Sequence, residues 1–141
     1  MEWNYYDTFI TVAPDCPAET GTKPPDKKSG KTKPGIEFEL LENHPYVYTQ
    51  EELLFEVHIR HKNIPEAELV ERREQIREEF FRKPQPCLRA SMLPKKYGWG
   101  LHFNAKGQIA IVPVESPDYH RFVEGANGKV KLLAAMRNKK K

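Results

Sequence analysis

Proline sets the first constraint on this chain. Twelve prolines are spread along its 141 residues. Each fixes φ and removes a backbone donor, so helices and strands must begin, end or bend around them. With eight glycines beside them, they imply many chain reversals and a sizeable loop content. The clearest consequence lies at 13–35, which holds Pro14, Pro17, Pro24, Pro25 and Pro34 together with five lysines. That stretch has little apolar surface to bury and reads as a long exposed loop.

What remains suits one domain. The length is enough for a single core without disulfide or metal staples. Hydrophobic residues make up 38% of the chain and charged residues 30%, which is globular but polar. The strongest apolar run, 109–114, is interrupted by Pro113 and falls far short of the about 20 residues that cross a bilayer. Met1-Glu2-Trp3-Asn4 has neither the basic start nor the apolar run of a secretory signal. Two cysteines, Cys16 and Cys87, are too few for a disulfide framework and lack metal-type spacing. They read as thiols of a reducing compartment, and the expectation is a cytoplasmic protein without a membrane partner.

Charge is unevenly placed although the net is only +3. Residues 36–81 hold 12 acidic and 5 basic groups; residues 82–141 hold 13 basic and 3 acidic. Either the basic end meets an anionic partner, or the two regions attract one another within the fold. The small net charge favours the second.

Local patterns give the elements. Residues 5–12 are aromatic and β-branched and suit a strand. Ile36, Leu40 and Leu41 suit a short helix at 36–43 that Pro45 ends. Thr49-Gln50-Glu51-Glu52 is a capping box. Beyond it Phe55, Val57 and Ile59 alternate with Glu56, His58 and Arg60, so one helical turn followed by a half-buried strand is expected. A helix running on from Thr49 would gather Leu53, Leu54, Val57 and His61 on a weaker face. The 65–81 segment reads as an amphipathic helix packed on a sheet, with Leu69, Ile76 and Phe80 inward, Val70 and Phe81 widening the face, and a Glu68–Arg72 pair. Residues 99–114 form a hairpin around Asn104-Ala105-Lys106-Gly107. Ser116-Pro117-Asp118 opens a short helix that Gly125 ends. Residues 130–136 fit strand or helix equally, and the basic tail at 137–141 is expected to fray. The fold expected is α+β: a mainly antiparallel sheet of four or five strands with one longer amphipathic helix and shorter helices over it.

Chemistry, if present, concentrates at 85–103. Pro86 precedes Cys87, Arg89 follows two residues on, and Lys95 and Lys96 come soon after. A nearby cation would make the thiol a better nucleophile, with His58 or His102 as base. Tyr97 and Trp99 offer an aromatic platform, while Gly98 and Gly100 permit positive φ or close backbone approach; the plainer alternative is a packed aromatic at a strand entrance. Arg89, Ser91, Lys95, Lys96, Tyr97, Trp99 and His102 make up a basic-aromatic ligand site that suits an anionic ligand. Cations mixed with aromatics also suit single-stranded nucleic acid, held through residues 82–141, although no specific nucleic-acid motif occurs. No metal site is expected: on a strand, His58 and His61 point to opposite faces. No cofactor motif occurs; the G-x-G at Gly98 lacks the third glycine of a dinucleotide site.

Four segments taken together carry a family likeness: Tyr5-Tyr6-Asp7-Thr8-Phe9-Ile10, Tyr48-Thr49-Gln50-Glu51-Glu52-Leu53-Leu54-Phe55, Gln85-Pro86-Cys87-Leu88-Arg89-Ala90-Ser91 and Tyr97-Gly98-Trp99-Gly100. They resemble an uncharacterised family of small bacterial proteins, domain of unknown function 6157. The resemblance covers nearly the whole chain. It implies a bacterial, cytosolic, single-domain protein and assigns no activity to any residue. The leading functional expectation is therefore a non-catalytic binding or interaction protein using 85–103. A Cys87 enzyme and a nucleic-acid binder are the alternatives.

Overall fold

A computed structural model describes residues 4–27, 30–125 and 130–138. The fold is α+β. Four strands form one sheet in the order β3-β2-β1-β4, with β1 at Thr8–Thr11, β2 at Trp99–Phe103, β3 at Ile109–Pro113 and β4 at Lys131–Ala134. β2 pairs antiparallel with both β1 and β3, and β4 pairs parallel with β1. The hairpin forms where expected. Asn104 Oδ1 accepts from the backbone N–H groups of Lys106 and Gln108, both at 2.9 Å, and Gly107 takes φ +79°. Within 130–136, undecided by its own residues, Lys131–Ala134 is strand because it has β1 to pair with.

Register sorts the side chains. Ile10 lies opposite Leu101, and Leu101 opposite Ile111, so these face one way with Phe103 and Ile109. Phe9 lies opposite His102, and with Val112 it faces the other way. The first face carries the main core beneath α1 (Lys33–Asn43), α2 (Gln50–His61) and α4 (Met92–Lys95). The second is covered by Tyr119 and Phe122 of α5 (Pro117–Val123), whose N-cap is Ser116 as expected. Each fully buried Leu or Phe of such a core contributes about 1.5–3 kcal/mol by leaving water.

Two helical readings need correction. Residues 50–61 are one helix throughout; Phe55, Val57 and Ile59 are not a strand. The Thr49–Glu52 capping box is present, with both reciprocal hydrogen bonds. The alternation arises because α2 is buried on two sides. Leu53 and Val57 meet the sheet-facing core, whereas Phe55 and Ile59 meet α3 (Glu66–Arg82). Two i, i+4 stripes displaced by two residues imitate a period of two. It follows that α3 packs on α2 through Ile76, Leu69 and Phe80, rather than on the sheet. Val70 is 80% exposed, outside that face. Pro65 caps α3 instead of opening it, and the helix kinks at Arg72 (φ −129°) while the Glu68–Arg72 pair holds at 3.0 Å.

The two charged regions do not meet in ion pairs among the described residues. The glutamates of 36–81 take Lys31 or arginines of their own region, as in Arg73–Glu56 and Arg77–Glu51, and Arg121 pairs with Asp118. Among the described residues of 12–32 there is no helix or longer strand. They are nevertheless anchored: Pro24 is buried, and Thr22 donates its N–H to Tyr97 O, just before β2, and accepts from Trp99 Nε1 at the start of that strand. At the C-terminus Asn138 donates to Asp15 Oδ1 at 2.8 Å; the lysines at 139–141 lie outside the described residues. No helix of the described residues is long and apolar enough to cross a membrane.

Candidate functional site

Residues 85–92 lead from the end of α3 into α4 across the N-terminal halves of α1 and α2. Gln85 caps α3 by donating Nε2 to Phe80 O at 2.8 Å. Buried Gln50, at the start of α2, accepts from Leu88 N at 2.8 Å and fixes the short 3-10 turn Leu88–Ala90. Ser91 caps α4 by accepting from Leu93 N. These anchors leave a cavity of about 270 Å³ between the segment and the helices. Lys33, Pro34 and Glu37 of α1, Leu54, Val57 and His58 of α2, and Phe80 of α3 line it, closed by Gln85 to Leu88, Ala90, Ser91 and Met92.

Glu37 is the unusual member. It is buried, and the Ser91 hydroxyl donates to its Oε1 at 2.7 Å. Burial pushes its pKa up to about 7, against the Ser91 hydrogen bond and the positive charge of Lys33, which both pull it down. Near neutral pH the carboxyl can thus either accept or donate a hydrogen bond. Its position follows from helix geometry: three and four residues before Leu40 and Leu41, it shares their inward stripe.

His58 sits on the same cavity with its ring stacked on Phe80 at 4.4 Å. Burial, then Lys62 and Lys33, lower its pKa, so the imidazole is neutral at neutral pH. Cys87 also lines the cavity, and its thiol lies beside the Tyr5 phenol. Burial and that neighbour push Tyr5 up to about 12, which keeps it a hydrogen-bond donor. Because α2 is helical at this point, His58 and His61 do not point to opposite faces as a strand would require. They stand about 60° apart on the helix, His58 at this cavity and His61 at another. Among the described residues no group of three His, Cys, Asp or Glu is arranged to hold a metal ion.

The expected basic-aromatic patch is only partly gathered. Cys87 and Ser91 reach the cavity, and Ser91 is spent on Glu37. Arg89 donates Nε to Ala134 O at 2.8 Å and ties the 3-10 turn to β4. Lys96 lies over the Tyr97 ring at 5.6 Å, near exposed solvent, with half-buried Lys95 behind it. Trp99 packs on Phe38 and donates Nε1 to Thr22 O at 2.8 Å, so it clamps the 12–32 segment. That is the packed aromatic at a strand entrance. The two flanking glycines answer different contacts, Gly98 on the side of the 12–32 segment and Gly100 on the Phe9 face of the sheet. Gly98 takes φ +82° against the Thr20 carbonyl, and a Cβ on Gly100 would come within 2.5 Å of Phe9. His102 lies on the opposite face of the sheet, 2.8 Å from the Tyr46 hydroxyl and against Phe122. It cannot serve Cys87 as a base. Of the other cations of 82–141, Lys106 sits in the turn between β2 and β3, Arg121 in α5, and Arg82 and Lys83 at the end of α3.

Sequence reasoning missed Glu37 and Phe38, both buried in α1. Glu37 carried a signal, its place on the Leu40–Leu41 stripe; charge alone made it look solvated.

The chain belongs to a family of unknown function (DUF6157), whose model matches residues 1–141. No curated protein and no solved structure matches it.

Proposed function

We propose that this chain, as a member of that family, is a non-catalytic binding protein that takes a small, largely apolar molecule into the cavity between α1, α2 and residues 85–92. The observation that carries the reading is Glu37, a buried carboxyl in the cavity wall that titrates near neutrality. Perturbed groups in clefts are characteristic of functional sites. Leu54, Val57, Leu88 and Met92 supply apolar contact. Glu37 supplies orientation, accepting from an N–H or donating to a carbonyl. A ligand burying about 150 Å² there would gain roughly 4 kcal/mol before entropic costs, which suits modest affinity. The same reading places the protein in the bacterial cytosol, a setting that suits its two free thiols.

Cys87 supplies the assay. In a Cys16→Ala background it is the remaining thiol, and an occupied cavity must slow its reaction with a maleimide. Fragments of about ten heavy atoms, the size the cavity admits, are screened for protection. Hits are repeated on Ala90→Phe, which fills the cavity. Protection in the parent and not in the filled variant supports the reading; equal protection in both, or none in either, rejects it.

A second reading keeps Cys87 as nucleophile with His58 as base, because a neutral imidazole lines the same cavity as the thiol. It requires His58→Gln to slow the maleimide reaction by roughly tenfold. An unchanged rate and pH profile would exclude it.

A further inference from the structure

The cavity continues past Phe80. A more open hollow of about 610 Å³ lies between α2 and α3 and shares Lys33, His58, Phe80 and Gln85 with the inner one. The stacked rings of His58 and Phe80, inclined at 28°, form the sill between them. The chemistry changes across that sill. The inner side is largely apolar with a single carboxyl at its wall; the outer side carries Arg72, Arg82 and Lys83 with Lys33 at the boundary. Its two acids, Glu68 and Glu79, are both paired to Arg72, at 3.0 and 3.7 Å. Lys33, Arg82 and Lys83 make no ion pair among the described residues, so they hold an excess of positive charge at the hollow. His58 registers that excess: after burial, the charges of Lys62, Lys33, His61 and Lys83 all press its pKa down.

We infer that the ligand is an amphipathic organic anion, whose compact apolar body sits behind the His58–Phe80 sill and whose carboxylate or phosphate rests outside it against Lys33, Arg82 and Lys83. The inference rests on the reading that the inner cavity binds a small molecule. Glu37 fixes the direction. An anionic head pushed inward would meet a buried carboxyl of the same sign, and like charges would repel where little water screens them. Pointed outward, the head stays hydrated and meets three cations. Each exposed cation adds about twofold, so the three together give roughly tenfold, weakened by salt.

Matched probes test this in the Cys87 protection assay and by NMR titration. The anions are 3-phenylpropionate and phenyl phosphate; the neutral partners are 3-phenylpropanamide and benzyl alcohol. Each is run on the parent protein and on the charge-reversed Arg82→Glu/Lys83→Glu variant, at low and high salt. Expected is a preference for each anion of roughly tenfold at low salt, shrinking at high salt, with the ratio falling to about one in the variant. The stronger of the two anions distinguishes a carboxylate from a phosphate ligand. Equal binding of anions and neutral partners, abolished by Ala90→Phe, overturns this inference and leaves the inner binding site standing. Absence of any Ala90→Phe-sensitive binding removes the site, and the inference falls with it.

Discussion

Glu37 offers the sharpest test of the interior, through Glu37→Gln. Its carboxyl titrates at about 7 in the folded protein against an ordinary 4.5. The folded state therefore holds a proton that the unfolded chain releases across that interval. Stability is greatest below the ordinary value, falls as pH rises, and levels off once the folded group has ionised. At about 1.4 kcal/mol per pH unit, the interval comes to about 3 kcal/mol. Against a typical total of about 5–15 kcal/mol that is a large fraction. Glutamine keeps the shape and can still accept from Ser91, but it cannot ionise. The difference between the two proteins therefore isolates this group from every other carboxyl. Urea unfolding is measured at fixed ionic strength from about pH 4.5 to about pH 8. The variant should match the parent at the acid end and exceed it by about 2–3 kcal/mol at the alkaline end. A difference that stays flat within about 0.5 kcal/mol would refute the assignment of a buried, proton-holding carboxyl.

Three further substitutions probe the elements around the site. Gly98→Ala forces a side chain into φ +82° and onto the Thr20 carbonyl; thermal unfolding should show a loss of about 2–4 kcal/mol, and a loss under about 1 would mean that the 12–32 segment does not pack there. Trp99→Phe deletes the donor to Thr22 O and shrinks the contact with Phe38. It should cost about 1–3 kcal/mol and hasten protease cleavage within 12–32, while an unchanged cleavage rate would show that the indole is no clamp. Burial holds the His102 pKa below the ordinary imidazole value, opposed by Asp7. Its contribution to stability is thus present above that ordinary value and lost as pH falls. His102→Gln should flatten this part of the acid limb, and an unaltered limb would argue against a neutral, half-buried ring.

What the sequence revealed was local. The capping box at Thr49, the Asn104–Gly107 turn and the Ser116 cap all depend on hydrogen bonds within four residues of one another, so the segments dictate them. The strand 131–134 depends on β1, more than a hundred residues away, and its own residues could not choose. The candidate site was half legible for the same reason. Pro86, Cys87 and Ser91 drew attention by their spacing, and Cys87 and Ser91 do reach one cavity. Lys96, Trp99 and His102 were neighbours in sequence only. Successive residues of β2 face opposite sides of the sheet, which sends His102 to α5 while Leu101 and Phe103 enter the main core.

The misreading of 55–59 and the oversight of Glu37 share one physical origin. Periodicity reports how many sides of an element are buried as well as which element it is. A helix buried on one side shows a single stripe; α2, pressed between the sheet-facing core and α3, shows two. Taken as a strand, 55–59 would have put Val57 and His58 on opposite faces and left α1 without a helical neighbour. Glu37 would then have remained one more solvated glutamate in an acidic stretch. Taken as a helix, α2 brings Leu54, Val57 and His58 to the cavity that Glu37 of α1 also lines, where the carboxyl is buried. The site is thus a product of layering. Its carboxyl comes from α1, its imidazole from α2, its aromatic sill from α2 and α3, and its thiol and serine from the segment that closes them. The burial that raises the Glu37 pKa is the same three-layer packing that made α2 look like a strand.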